Sequence, residues 1–454
     1  MIIKKNKSFT RIFLFLFLIY GFWLAVFWPG ILGEDSLAIL LEAKDPLHHT
    51  SGKPVFWYYF VSVLYRKLQL IEIPMLTIVL ICTSILARII SWCWTENLKK
   101  TAVFLFLFIC AAPHLIYFVN SLYPDGFYAI TVTGLLFEVW LTAKNKTASR
   151  TSLLMMAIAL PVAAFARPNG IVFILPVLAL IPLCDRKSRY WIAAILVVWC
   201  SLLALAIQVK KPQSHGSIFP LAIFETVNFL QPRIMNQWTW SPRISSATLE
   251  ALTRNHPTEV YTQNYDPDYW DTLNFKPDGP RVMTMPKSDR KIIVIEFFRY
   301  NLWHNIPDFM GSRINVFLSS ALADGSIPSL TYAQNVIERS GSNSNYHPFG
   351  LQRIEEKLNW LHHFTYQYRY LLWTPFLGLA LLFMLLSQAV KERQIPILLV
   401  TVPMFLQLGG IFFFSIASEY RYLLPFFTLP LTLLPIYVME RRKTREKITP
   451  TVVK

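Results

Sequence analysis

Long apolar stretches alternate along the chain with short polar connectors. A helix needs about 20 apolar residues to cross ~30 Å of hydrocarbon. Ten stretches approach that length, at roughly 11–29, 72–94, 102–119, 126–143, 152–166, 170–184, 190–209, 369–390, 395–417 and 423–439. The fifth and sixth are short and are separated by Arg167-Pro168-Asn169-Gly170. Proline ends one helix and suits the first turn of the next, so a tight turn is predicted there. Between 210 and 368 the pattern changes, with Trp-rich and Pro-rich runs such as Gln237–Pro242 and Asp266–Trp270 and a charge balance of 15 basic to 14 acidic residues. Such aromatic density predicts a folded loop, since a structureless segment of that length is uncommon. Within it, 292–320 reads as an amphipathic helix broken near Pro307 and suited to a membrane surface.

The connectors alternate in charge. One set carries Lys4, Lys5, Lys7 and Arg11, then Lys99 and Lys100, then Lys144, Lys146 and Arg150, then Arg186, Lys187 and Arg189, then Lys391 and Arg393, then Arg441 to Lys447. With ten spans, all of these fall on the same side as both termini, and the excess of Lys and Arg makes that side cytoplasmic. The first apolar stretch has a basic start and no small-residue cleavage site, which reads as an uncleaved first span. The predicted fold class is therefore an all-α polytopic membrane protein of about ten transmembrane helices with a large folded, partly helical periplasmic loop. Its parts are an N-terminal membrane region, 1–209, with spans one to seven and the first outer loop; a loop domain, 210–368; and a C-terminal membrane region, 369–454, with spans eight to ten and a basic tail.

Composition agrees. Apolar residues make up 54% of the chain and charged residues 15%, against about 25% charged in soluble domains, which excludes disorder, coiled coil and an ordinary cytosolic enzyme. The net charge of +16 would suggest nucleic acid in a soluble protein, but here the excess lies in cytoplasmic connectors, and no nucleic-acid partner is predicted. Five cysteines, an odd number with no Cys-x-x-Cys pair, give neither a disulfide framework nor a zinc site. No cofactor is predicted, and a divalent metal requirement stays open.

The polar residues that invite chemistry cluster on the outer side. Asp35 follows the first span at the start of a short amphipathic helix. It reads either as an N-cap or as a general base whose pKa is raised by the apolar surroundings. Glu34, its neighbour, points elsewhere because i,i+1 residues do not share a helix face. Tyr123-Pro124-Asp125-Gly126 reads as a turn or as a second acid facing the same cavity. Arg167 and Arg421 each precede an apolar helix on the side where arginine opposes the charge trend, with Tyr420 and Tyr422 flanking the second. Guanidinium groups beside helix N-termini suit a phosphate, whereas snorkelling is the plain alternative. Lys53 is a candidate phosphate contact. His48 and His49 lack an i,i+4 partner, so no metal site is predicted. Arg88 lies inside the second span and reads either as functional or as reaching the cytoplasmic interface.

These residues, taken in order, resemble the GT-C superfamily of polytopic glycosyltransferases that use polyprenyl-phosphate sugars, among them the aminoarabinose transferases and protein mannosyltransferases. The resemblance rests on Gly33-Glu34-Asp35 after span one, Lys53-Pro54 with Trp57-Tyr58-Tyr59, Asp125, Arg167-Pro-Asn-Gly170 and Tyr420-Arg-Tyr-Leu-Leu-Pro425. The stretch Gly52-Lys53-Pro54-Val55 departs from the family's His-Pro-Pro-aromatic pattern. The resemblance implies an inverting enzyme of a bacterial inner membrane, with Asp35 and Asp125 catalytic, Arg167, Arg421 and Lys53 on the donor phosphate, and Glu34, Tyr420 and Tyr422 in support. The donor would be a polyprenyl-phosphate-linked sugar, the acceptor a cell-envelope glycan such as lipopolysaccharide, a glycolipid or a protein, and 210–368 would cover the site. A flippase or transporter of a lipid-linked saccharide, and a glycan ligase or polymerase, are the competing readings.

Overall fold

A computed structural model describes residues 2–210, 218–231, 233–235, 238–240, 244–323 and 332–448; Gln237, Ser241 and Pro242 of the aromatic motif lie outside them. The chain divides into two compact units, one of residues 1–212, 327–407 and 421–454, the other of 213–326 and 408–420. Residues 327–368, at the end of the expected loop domain, thus group with the apolar helices.

The first unit begins with α1 (Ile2–Val26), α2 (Glu34–Lys44), α3 (Val55–Tyr65), α4 (Glu72–Thr95), α5 (Lys99–Cys110), α6 (Pro113–Val119), α7 (Pro124–Asn145), α8 (Arg150–Phe165), α9 (Ile174–Leu183) and α10 (Arg186–Lys210). The second unit holds α11 (Phe219–Leu230), the two-stranded ladder β1 (Arg233–Met235) and β2 (Trp238–Trp240), α12 (Ser246–Thr253), α13 (Thr258–Gln263), α14 (Asp271–Asn274), α15 (Lys287–Glu296), α16 (Leu302–His304) and α17 (Ile306–Ala321). The chain returns to the first unit with α18 (Ala333–Ser340), α19 (Gln352–Gln367), α20 (Arg369–Leu372), α21 (Phe376–Glu392), α22 (Ile395–Phe414, whose end counts with the second unit), α23 (Leu424–Thr428) and α24 (Pro430–Ile448).

Among the described residues seven helices are long and apolar enough to cross a membrane, eight if a bent pair counts as one span. The bent pair is the stretch predicted as 102–119: α5 and α6 meet at 69°. Pro113 opens α6 and cannot continue α5, because it lacks the N–H and its ring blocks the preceding turn. The stretches 152–166 and 170–184 are separate short helices, α8 of 16 residues and α9 of 10. At 1.5 Å per residue α8 reaches about 24 Å, less than the hydrocarbon thickness. The turn predicted between them is a 3-10 segment, Pro168–Phe173.

Helix α7 is the axis of the first unit. It packs on α4, α6, α8, α9, α23 and α24, and nearly all its side chains are buried. Several of its polar residues find partners inside the bundle. The Thr131 and Thr133 hydroxyls donate to carbonyls one turn back, Thr133 meets Thr428 at 2.9 Å, and Thr432 donates to the Thr133 carbonyl at 2.8 Å. Buried Glu138 accepts from Arg88 of α4 at 2.8 Å, so Arg88 belongs to an ion pair within the bundle. In contrast α10 leaves most side chains exposed, as suits a helix facing lipid.

The second unit has its own apolar core, built on Phe224, Phe229, Phe297, Tyr261 and Ile293. A fully buried ion pair joins Glu225 of α11 to Arg313 of α17. Ser312 and Asn228 also donate to Glu225, at 2.8 and 3.1 Å, while Arg313 donates to the Ser415 carbonyl. Segment 292–320 is broken as expected: α15 ends in a π-helical turn, Phe297–Asn301, and α17 starts afresh with Pro307 in its first turn.

Candidate active site

Five charged side chains from five separate parts of the first unit meet at one place. The loop after α1 is pinned to the loop before α7 by a short parallel bridge: the Ile31 N–H donates to the Asn120 carbonyl at 2.8 Å and the Leu122 N–H to the Ile31 carbonyl at 3.2 Å. This bridge carries the start of α2 toward the start of α7. Asp35 lies in the first turn of α2 and Asp125 in the first turn of α7, where the exposed N–H groups of a helix favour a carboxylate.

Asp35 accepts from Lys53 Nζ at 2.6 Å and from Arg421 Nη1 at 2.8 Å. The same Arg421 nitrogen lies 4.0 Å from Asp125 Oδ2, and Asp125 is ion-paired to Arg167 through Oδ1. The result is one chain, Lys53–Asp35–Arg421–Asp125–Arg167. Three cations against two carboxylates leave a formal charge of +1. Asp125 is almost fully buried, while the other four side chains keep 17 to 30% of their surface open. Aromatic faces hold the guanidinium groups: Arg167 lies 4.7 Å from the Tyr422 ring centre, and Arg421 lies 5.4 and 5.7 Å from Tyr123 and Tyr422, contacts that also strengthen as water is excluded.

Two expectations about Asp35 are corrected. It is not the N-cap of α2; Gly33 is, with Ser36 Oγ accepting from the Gly33 N–H at 3.3 Å. Nor is its pKa raised. Burial works to raise it, but Lys53 and then Arg421 outweigh burial and hold the carboxyl at about 2. The Lys53 ammonium is itself depressed, chiefly by burial, with Asp35 opposing and Arg421 adding to the effect. The Pro124-Asp125-Gly126 turn is instead the opening of α7, with Pro124 in the first turn.

Other candidates fall elsewhere. Glu34 is exposed and pairs with Arg339 at 3.1 Å. Tyr420 is fully buried, and the ring that joins Tyr422 at Arg421 is Tyr123. His48 is an exposed partner of Asp45 at 2.7 Å. Among the described residues no three His, Cys, Asp or Glu side chains converge as a metal site.

Sequence reasoning missed the clasp that presents Lys53. Buried Glu42 of α2 accepts from the Ser51 N–H at 3.0 Å and from its hydroxyl, and Ser51 Oγ accepts from the Lys53 N–H at 3.2 Å. Lys210, at the end of α10, closes the clasp on Glu42 and lies 3.4 Å from the centre of the Tyr58 ring. Only Lys210 carried a signal, as a cation ending an apolar helix.

A sequence model of the Alg9-like mannosyltransferase family, polytopic glycosyltransferases of the GT-C type, matches residues 47–210. That segment is just over a third of the chain. It contains Lys53, Asp125 and Arg167 and leaves out Asp35 and Arg421. No curated protein and no solved structure matches the chain. The similarity is thus to a mannosyltransferase family over the segment that supplies three of the five converging charges.

Proposed function

We propose that the chain is an inverting glycosyltransferase that moves a sugar from a polyprenyl-phosphate carrier to a glycan, glycolipid or protein acceptor at the outer face of a bacterial inner membrane, with both termini cytoplasmic. The observation that supports it best is the chain of five charges and its residual +1. The mannosyltransferase similarity makes mannose the first sugar to try.

The charges balance through the reaction. A sugar phosphodiester carries one negative charge, which the site's +1 neutralises. Arg421, Arg167 and Lys53 bind its oxygens, and aromatic Tyr123 and Tyr422 keep the guanidinium planes oriented. As the phosphate draws Lys53 and Arg421, the two attractions that depress Asp35 weaken, and its affinity for a proton rises. Asp35 then takes the proton from the acceptor hydroxyl as that oxygen bonds to the anomeric carbon. The bond from the anomeric carbon to the phosphate oxygen breaks, and its electron pair leaves with the polyprenyl phosphate. With Asp35 protonated the site carries +2, opposite a phosphate monoester approaching −2. Attack from the face opposite the leaving group inverts the sugar carbon. Asp125 touches no proton in this scheme; it holds Arg167 against the leaving oxygen.

A transporter would use the same cations without a base, and the test separates the two. Purified protein is given synthetic polyprenyl-phosphate sugars and sugar transfer is followed. Asp35→Asn should lower turnover by ~10²–10⁴-fold while donor binding persists. Full turnover in that variant would remove Asp35 as the base.

A further inference from the structure

A cavity lies at the end of α7 far from the charged cluster. Asp125 is in the first turn of that helix and Lys144 in its last, so about 30 Å of helix separates the two places. The cavity has a volume of about 590 Å³ and is lined by Lys144, Lys146 and Arg393, by Glu392 and Glu440, and by apolar groups including Trp140. Its basic residues belong to connectors that the charge pattern places in the cytoplasm.

The charges are unevenly satisfied. Glu392 is occupied by the amides of Gln388, at 3.1 Å, and Gln394. Lys144 sits 4.9 Å from the Trp140 ring centre. Among the described residues no carboxylate pairs with Lys146 or Arg393. Both have left-handed backbones, with φ of 55° and 53°, and each is the C-cap of its helix, Lys146 of α7 and Arg393 of α21. Two unpaired cations therefore face one cavity beside Leu183, Ile395 and Pro396. A soluble anion has no use for those apolar walls, whereas a lipid presents phosphate and hydrocarbon together. Basic pockets between membrane helices on the cytoplasmic side suit anionic headgroups.

We propose that this cavity binds the phosphate headgroup of an anionic phospholipid of the inner leaflet. The site is independent of sugar transfer and rests on the sidedness of the basic connectors.

The test is retention of phosphatidylglycerol by the purified full-length chain, followed by native mass spectrometry against phosphatidylcholine. The variant pair Lys146→Asn with Arg393→Asn removes both cations while keeping a residue that tolerates left-handed backbone. Wild type should prefer phosphatidylglycerol, the pair should bind it roughly thirty-fold more weakly, and each single variant roughly five-fold. Lys187→Gln with Lys391→Gln, which removes two charges from the same face outside the cavity, should bind as wild type. Equal binding of the two lipids, displacement by inorganic phosphate, an equal loss in the control pair, or undiminished binding in the Asn variants would each overturn the proposal.

Discussion

At the scale of single residues the decisive fact is that Asp35 is ionised and engaged on two sides, by Lys53 and Arg421. Its pKa in the folded chain is about 2, against an ordinary 3.8. Its ion pairs therefore stabilise the fold fully above about pH 4, and that contribution is lost as pH falls toward 2. For catalysis, kcat/KM reports the free enzyme and kcat the bound complex. We predict that Asp35 puts no acid limb on kcat/KM above about pH 4, while the acid limb of kcat lies higher, because bound phosphate competes for both cations. A kcat/KM profile falling away near pH 6 would contradict the ion-paired resting state. Arg167 and Arg421 are legible in the sequence because they oppose the charge trend of the other connectors, and Asp35 and Asp125 because they stand at a helix start and a turn between apolar stretches. The direction of the Asp35 shift is not, since burial can be read locally but a guanidinium 386 residues away cannot. Tyr123 beside Arg421 and Lys210 on Glu42 are hidden for the same reason: each contact joins segments far apart in the sequence.

At the scale of elements, glycines set how closely the helices approach. A Cβ on Gly126 would lie 2.4 Å from the Phe118 carbonyl carbon, and one on Gly170 would lie 2.4 Å from the Ala163 oxygen. Each glycine follows a charged residue of the Asp125–Arg167 pair. Gly126→Ala should destabilise the protein by about 1–3 kcal/mol, since backbone must move to admit the methyl group, and should weaken sugar transfer by displacing Asp125. Gly409→Ala, a helical position with nothing within 4 Å, should be neutral or mildly stabilising. Thermal unfolding of the two variants in the same detergent checks both; equal midpoints would refute the close-packing argument. Helix positions are well marked by apolar runs and one break by Pro168, but the break at Pro113 is missed, because 102–119 reads as one continuous apolar stretch. What the pattern did not show is geometry at the breaks: a 69° bend in one case and a 3-10 turn in the other. Proline predicts interruption, but the neighbouring helices set the angle.

At the scale of the whole molecule, the second unit combines an apolar core with a fully buried ion pair. Glu225 and Arg313 have no exposed side-chain surface, so removing either leaves an uncompensated charge, at a cost of about 3–5 kcal/mol. We predict that Glu225→Gln lowers the unfolding midpoint, and that limited proteolysis then cuts first within 213–326. An unchanged midpoint would show that the pair is dispensable. Sidedness has its own test: a cysteine placed at exposed Glu34 should react with an impermeant reagent from outside intact cells, and one at Lys187 only after the membrane is opened. Labelling in the reverse order would invert the map. The division into 1–209, 210–368 and 369–454 was drawn where hydropathy changes. Packing instead keeps 327–368 with the apolar helices, because α18 rests on α2, a contact between segments about 300 residues apart.

The bond from Arg421 to Asp35 spans 386 positions, and this sets an order of events on the ribosome. At 5–20 residues per second, Asp35 is made roughly 20–80 s, and Asp125 roughly 15–60 s, before the guanidinium that joins them. Until then the nascent N-terminal half holds an unfinished pocket. A truncated product ending after α10 would keep four of the five charges and lack the one that links both acids, so premature termination should yield a protein that inserts yet cannot grip a carrier lipid.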